Sequence, residues 1–84
     1  MFDFSGKVTL ITGASYGLGE EFAYAFADAG ADLILTARSE DLLMTVAEIC
    51  RGKGSKVTAV VGDVSDESDV LKVIAEGMSD HGQI

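Results

Sequence analysis

The chain has 84 residues, of which 48% are hydrophobic, and this is enough apolar material for the core of one small domain. Its formal net charge is −8 and its six lysines and arginines are scattered, so the composition argues against nucleic-acid binding. No stretch reaches the roughly 20 apolar residues of a membrane span. We therefore expect a cytoplasmic chain that binds neither nucleic acid nor membrane.

The residues that most often bind metals are scarce. The single cysteine, Cys50, excludes an internal disulfide or a cysteine-based metal cluster, and its place on an apolar helix face indicates a small buried hydrophobe. The single histidine, His81, has Asp80 directly beside it rather than at the usual spacing of metal ligands. We predict no metal site and interpret His81 as a solvated residue near a helix end.

Strands and helices are predicted to alternate along the chain. Apolar periodicity and turn residues predict strands at 7–12, 32–37 and 56–62, and helices at 18–29, between Ser39 and Gly52, and at 66–79. Such alternation gives right-handed crossovers and a parallel sheet in the order 3-2-1. The predicted fold class is thus α/β, with residues 1–84 forming a Rossmann-like three-layer half-domain (βαβαβα).

Helix periodicity also predicts which side chains face the core, and polar residues before each helix predict its cap. The expected inward residues are Leu18, Phe22, Ala25, Phe26 and Ala29 in the first helix, Leu42, Leu43, Val46, Ile49 and Cys50 in the second, and Val70, Val73, Ile74 and Met78 in the third. Ser39 and Ser65 are the predicted N-caps of the second and third helices.

A glycine-rich turn joins the first strand to the first helix. Gly13 permits a tight exit from the strand, Gly17 lets the backbone approach a ligand, and Gly19 allows close packing of the helix. The free amides and the positive dipole end of the helix suit a pyrophosphate. The residues of this turn predicted to bind it are Gly13, Ser15, Tyr16, Gly17, Leu18 and Gly19.

The G-x-x-x-G-x-G spacing, led by Thr12, resembles the signature of the short-chain dehydrogenase/reductase family. Four further segments are similar to that family in the same order, namely 4–8, 36–39, 62–66 and 81–84, the last as the approach to a fourth strand. The resemblance implies a nicotinamide dinucleotide cofactor and an oxidoreductase. Because the family's domain is several times longer, it also implies that the chain is an N-terminal part.

The end of the second strand predicts which dinucleotide is preferred. An NAD site usually places a carboxylate there, whereas this chain has Ala37 followed by Arg38. Arg38 can hold a 2′-phosphate in a forked, charge-assisted pair, and the Ser15 and Ser39 hydroxyls can add donors. We therefore predict NADP(H) over NAD(H). The alternative is that Arg38 is simply a solvated charge at a helix start.

By resemblance, Asp63 and Val64 are similar to the family pair that brackets adenine, with the carboxylate accepting from the exocyclic amine. The alternative is that Asp63 only orders a turn, as aspartates commonly do.

The catalytic residues that the resemblance implies are not in the chain. The family uses a Tyr-x-x-x-Lys pair with Ser and Asn, but Glu20 follows Tyr16 at that spacing, Asp28 follows Tyr24, and the sequence has no asparagine. We expect no catalytic residue here and no activity of the chain alone. The alternatives are a stand-alone, non-catalytic nucleotide-binding or self-associating module, or another Rossmann-like enzyme that modifies nucleoside sugars or transfers methyl groups.

Self-association is predicted from the sheet order. The first strand would expose an apolar, unpaired edge over 8–11, and a homodimer is the commonest way to cover such an edge. The sheet residues expected to lack helical cover are Leu33, Leu35, Val57 and Val61.

Overall fold

A computed structural model describes residues 4–83 and contains six elements. They are β1 Val8–Thr12, α1 Gly17–Asp28, β2 Asp32–Ala37, α2 Glu40–Gly52, β3 Val57–Val61 and α3 Glu67–His81. The predicted alternation is confirmed, with element ends displaced by one or two residues. Ile84, assigned by resemblance to the approach to a fourth strand, lies outside the described residues.

The strands form one parallel sheet in the order β1-β2-β3, which is the predicted order 3-2-1 viewed from the other side. Val8 pairs with Asp32 and Leu33 pairs with Val57, so β2 lies between its two sequence neighbours. Within residues 4–83, β1 pairs with β2 alone, and its other edge is open as expected.

The side chains of β2 alternate between two helical layers. Leu33 and Leu35 belong to the core cluster formed with α1 and α2, whereas Ile34 lies in a second cluster with Val60 of β3 and Val73 of α3. Helices α1 and α2 thus lie on one face and α3 on the other, the arrangement that right-handed crossovers produce. The Rossmann-like three-layer half-domain is therefore confirmed.

The four sheet residues predicted to lack cover are Leu33, Leu35, Val57 and Val61. The prediction is wrong for the first three, which are buried because α1 and α2 both pack on their face, and Val61 is partly buried. Cover is thinner on the α3 side, where Val8 and Leu10 are only partly buried. On the α3 face, the incompletely covered sheet residues thus lie on β1 rather than on the central strand.

The buried face of α1 differs from the predicted one. Leu18 is 69% exposed, Phe22 is 49% exposed and Ala25 is exposed, while Ala23 and Ala27 are buried. Small side chains face the sheet because they let the helix axis approach it closely. Leu18 and Phe22 consequently point away from this interface, whereas Phe26 is partly buried and packs against the core, as predicted.

In the other two helices the predicted stripes are partly right. The buried members are Leu43, Val46, Cys50 and Val73, whereas Leu42, Ile49, Ile74 and Met78 are at least 39% exposed. Burial also raises the pKa of the Cys50 thiol, as expected for an inert small hydrophobe. Gly77 is also buried and brings α3 close to the sheet, against Ile34.

The end of α3 is fixed to β3. The Thr58 hydroxyl donates to Asp80 Oδ2 at 2.6 Å and lies 3.0 Å from His81 Nε2. His81 is therefore partly buried and in contact with Thr58, which corrects its interpretation as a solvated residue. No cluster of three or more potential metal-ligating side chains occurs in residues 4–83.

Among the described helices, none has the length and apolarity to span a membrane. The cytoplasmic location expected from the sequence stays a prediction.

Candidate functional site

Three loops meet at the carboxyl edge of the sheet, one after each strand. The amide of Ala14 donates to the Thr36 carbonyl at 3.1 Å, and the amide of Gly62 donates to the Ala37 carbonyl at 3.0 Å. These bonds hold the β1–α1 and β3–α3 loops against the end of β2. The loops enclose an open cleft of about 540 Å³, a volume typical of ligand sites.

Seven of the ten predicted cofactor-binding residues line this cleft. They are Gly13, Ser15, Tyr16, Arg38, Ser39, Asp63 and Val64. The other three, Gly17, Leu18 and Gly19, form the first turn of α1 beside the cleft but do not line it. For all ten residues, contact with a cofactor stays a prediction.

The glycines of the turn are required for two different reasons. Gly13 and Gly17 have φ angles of 62° and 61°, a left-handed conformation that strains other residues. Gly19 has ordinary φ, but a Cβ there would overlap the carbonyl oxygen of Gly13. Gly19 therefore allows α1 to begin directly against the turn, which is a more local contact than the predicted packing on the sheet.

The N-terminal end of α1 lies next to the cleft. Tyr16 occupies the N-cap position, and its side chain makes no capping hydrogen bond. The first amides of α1 are therefore not satisfied by the N-cap side chain, and the positive end of the helix dipole lies behind them. Such a helix start favours an anionic group of a ligand.

Arg38 and Asp63 face each other across the cleft. Arg38 Nη1 lies 3.8 Å from Asp63 Oδ2, and the Arg38 side chain is 81% exposed. The Ser65 hydroxyl and amide donate to Asp63 Oδ1 at 2.7 and 2.9 Å. These two bonds, with a smaller contribution from Arg38, hold the pKa of Asp63 below its ordinary value. Asp63 is thus an ionised acceptor at neutral pH.

Ser65 does not cap α3 as predicted. The N-cap is Asp66, whose carboxylate accepts from the Ser68 amide at 2.9 Å and the Ser68 hydroxyl at 2.7 Å. The Ser65 hydroxyl is used by Asp63 instead. Ser39 does occupy the N-cap of α2, although its side chain makes no capping bond.

Five residues of the cleft are not among the predicted cofactor-binding residues, namely Thr36, Ala37, Leu42, Gly62 and Ser65. Thr36 and Gly62 lie where strands end, and the rule that ligands bind at the carboxyl edge of a parallel sheet is a signal for them. Leu42 lies in the first turn of α2, four residues after Arg38, and is 50% exposed at the cleft instead of buried. Because Leu42 is apolar and falls on the helical stripe, its sequence position predicts a core residue and gives no sign that it lines a cleft.

Comparison with known proteins places this geometry in a family. The family model described as short chain dehydrogenase matches residues 7–84. The 11-beta-hydroxysteroid dehydrogenase-like 4A of Arabidopsis thaliana is 48% identical over 81 residues, which cover 95% of this chain and 27% of that protein. The chain spans about a quarter of the length of such curated relatives.

Solved structures agree with the fold. A short chain dehydrogenase/reductase from Burkholderia phymatum in complex with NAD has a TM-score of 0.93 and 34% identity, over 100% of this chain and 30% of that one. L-Sorbose reductase from Gluconobacter frateurii, complexed with NADPH and L-sorbose, has a TM-score of 0.92 and 38% identity, over 96% and 31%. The chain belongs to the short-chain dehydrogenase/reductase family.

Proposed function

We propose that the chain is the NADP(H)-binding N-terminal portion of a short-chain dehydrogenase/reductase-type oxidoreductase. The observation that carries the proposal is the end of β2, where Arg38 follows Ala37 at the cleft. A carboxylate at position 37 would repel a 2′-phosphate, whereas the Arg38 guanidinium attracts it. Similar solved structures include one complex with NAD and one with NADPH, so family membership alone does not indicate which cofactor is preferred. The argument for NADP(H) therefore depends on Ala37 and Arg38.

The lining residues fit the parts of such a cofactor. The amides at the start of α1, beside the turn at Gly13, suit the pyrophosphate because no capping side chain satisfies them. Arg38 would hold the 2′-phosphate, with Ser15 and Ser39 as additional donors. Asp63 would accept from the exocyclic amine of adenine, beside Val64. When bound, the cofactor supplies a hydride.

Cofactor preference is tested by titration calorimetry with NADPH and NADH. We expect tighter NADPH binding, since hydrogen bonds to charged groups contribute about 1.5–3 kcal/mol. The double variant Ala37→Asp/Arg38→Ala should reverse the order. Lys72→Ala on α3 removes the same charge away from the cleft and should leave the order unchanged. Equal affinities of the parent chain for both cofactors would refute the preference.

The proposal also assigns proton transfer to sequence outside this chain, because neither Tyr16 nor Tyr24 has a lysine four residues later. We expect purified chain to consume no NADPH with any of a panel of carbonyl compounds. Substrate-dependent NADPH consumption that is lost in Gly17→Val would contradict this assignment.

A second candidate is a stand-alone, non-catalytic module that binds nucleotide or associates with itself. The open edge of β1 within residues 4–83 favours it, because such an edge pairs readily with another strand. The coding sequence beyond Ile84 distinguishes the two candidates. Continuation into N-N-A-G and Y-x-x-x-K segments supports the oxidoreductase, and a stop codon supports the module.

A further inference from the structure

The backbone of Asp63 is held by a side chain that lies outside the cleft. The Asp63 amide donates to Asp69 Oδ2 at 2.9 Å. Asp69 belongs to the first turn of α3 and is partly buried. If Gly62 carried a Cβ, that atom would lie 3.4 Å from Asp69 Cβ and 3.6 Å from Asp69 Cγ. Asp69 is therefore bonded to Asp63 and lies beside Gly62 at the start of the β3–α3 loop.

Other bonds fix two further polar atoms of Asp63. Its Oδ1 accepts from Ser65, and its carbonyl accepts from the Asp66 amide at 2.9 Å. Oδ2 is left facing Arg38 across the cleft. The Asp69 bond differs from these others because it joins the loop to α3, which is docked on the sheet through Val73. The direction of Oδ2 is thus set relative to the rigid part of the fold.

We propose that Asp69 is a positioning residue for adenine recognition. By accepting the Asp63 amide, it holds the Asp63 carboxylate where Oδ2 meets the exocyclic amine of the base. The inference rests on the proposed function, in which Asp63 binds adenine. It requires no contact of Asp69 with the nucleotide, and Asp69 does not line the cleft.

The competing interpretation is that Asp69 only stabilises the N-terminus of α3 by its negative charge. Glu67 provides the matched control, because it is acidic, exposed and in the same first turn. Asp69→Ala and Glu67→Ala remove the same charge from the helix start, but only the first removes the acceptor of the Asp63 amide. Asp69→Asn keeps a carbonyl oxygen at that position while removing the charge.

The test compares NADPH with its hypoxanthine analogue, which carries a 6-oxo group in place of the 6-amino donor. We expect the parent chain, Glu67→Ala and Asp69→Asn to favour the adenine cofactor by roughly tenfold. In Asp69→Ala the two affinities should become nearly equal. A general loss of stability would weaken the binding of both cofactors equally and leave the ratio of the two affinities unchanged. A full adenine preference in Asp69→Ala would overturn the proposal.

Amide hydrogen exchange of the ligand-free chain gives a second readout that needs no nucleotide. The Asp63 amide should exchange roughly tenfold faster or more in Asp69→Ala than in the parent, with little change in Glu67→Ala. Unchanged exchange in Asp69→Ala would refute the positioning role. Failure of the parent chain to bind any adenine nucleotide would instead refute the proposed function, and with it the adenine-directed purpose of this contact.

Discussion

Gly19 is the residue at which a single methyl group would disturb the glycine turn most. A Cβ at this position would overlap the Gly13 carbonyl oxygen, and backbone atoms cannot move aside as the end of a side chain can. We expect Gly19→Ala to lower the free energy of unfolding by roughly 1–3 kcal/mol, a cost typical of overpacking. Urea unfolding followed by circular dichroism measures this change.

Gly52→Ala is the control for that experiment. Gly52 is the last residue of α2, its φ is not positive, and a Cβ there would have no neighbour within 4 Å. Alanine should therefore leave stability unchanged or raise it by up to about 1 kcal/mol, because it restricts the unfolded chain. Equal losses in Gly19→Ala and Gly52→Ala would show that the Gly13 contact is not the cause.

At the level of elements, α3 depends on Gly77 for its close contact with Ile34. A Cβ on Gly77 would overlap Ile34 Cδ1 and lie 3.1 Å from Cγ1. We expect Gly77→Ala to destabilise the fold by about 1–2 kcal/mol, the overpacking cost reduced by the better helix propensity of alanine. Thermal or urea unfolding measures the difference.

A double-mutant cycle isolates the Gly77–Ile34 contact. Ile34→Val removes the Cδ1 atom that the new methyl group would meet, and alone it should cost about 0.5–1.5 kcal/mol. The double variant should be more stable than the sum of the two single effects, by at least about 0.5 kcal/mol. Strict additivity would mean that Gly77 is needed for another reason.

Periodicity predicted the existence of every element but not every buried face. It favoured Leu18 and Phe22 in α1 because they are large and apolar, whereas the distance between α1 and the sheet is set by the small residues Ala23 and Ala27. Local propensity likewise could not choose between two adjacent caps for α3. The choice depends on Asp63, which binds the Ser65 hydroxyl and leaves the cap to Asp66.

The site was predictable where it follows from topology. Alternating strands and helices bring three loops to one edge, so Gly13, Arg38 and Asp63 could be placed together from the sequence. Asp69 could not be assigned in this way. Its bond to Asp63 spans six residues across a loop of irregular conformation, and no periodic pattern encodes that approach.

For the molecule as a whole, we predict association through the β1 side of the sheet. Within residues 4–83 the outer edge of β1 is unpaired, and Ile74 of α3 is 39% exposed beside Leu10. A second copy of the chain that pairs at this edge would bury both the open edge of β1 and the Ile74 side chain. Sedimentation equilibrium at micromolar concentration should therefore detect a homodimer.

Ile74→Lys tests where the two copies meet. It places a charge beside β1 and should weaken association by roughly tenfold or more, since burying an unpaired charge is costly. Ile49→Lys on α2 adds the same charge to the opposite helical layer and should leave the dimer intact. A monodisperse parent monomer would contradict the predicted interface and leave the β1 edge open in solution.

The register of the sheet has a consequence for folding. Val8 pairs with Asp32 and Leu33 pairs with Val57, so both crossovers close over the same sequence separation. Because the entropy of loop closure depends on length, the two closures cost nearly the same. Side-chain contacts must then decide which closes first. The β2–α2–β3 crossover joins the fully buried Leu33 to a buried partner, whereas Val8 of β1 is only partly buried. Chain length thus leaves the folding order of the two halves open, and the greater burial of β3 than of β1 favours earlier closure of the second.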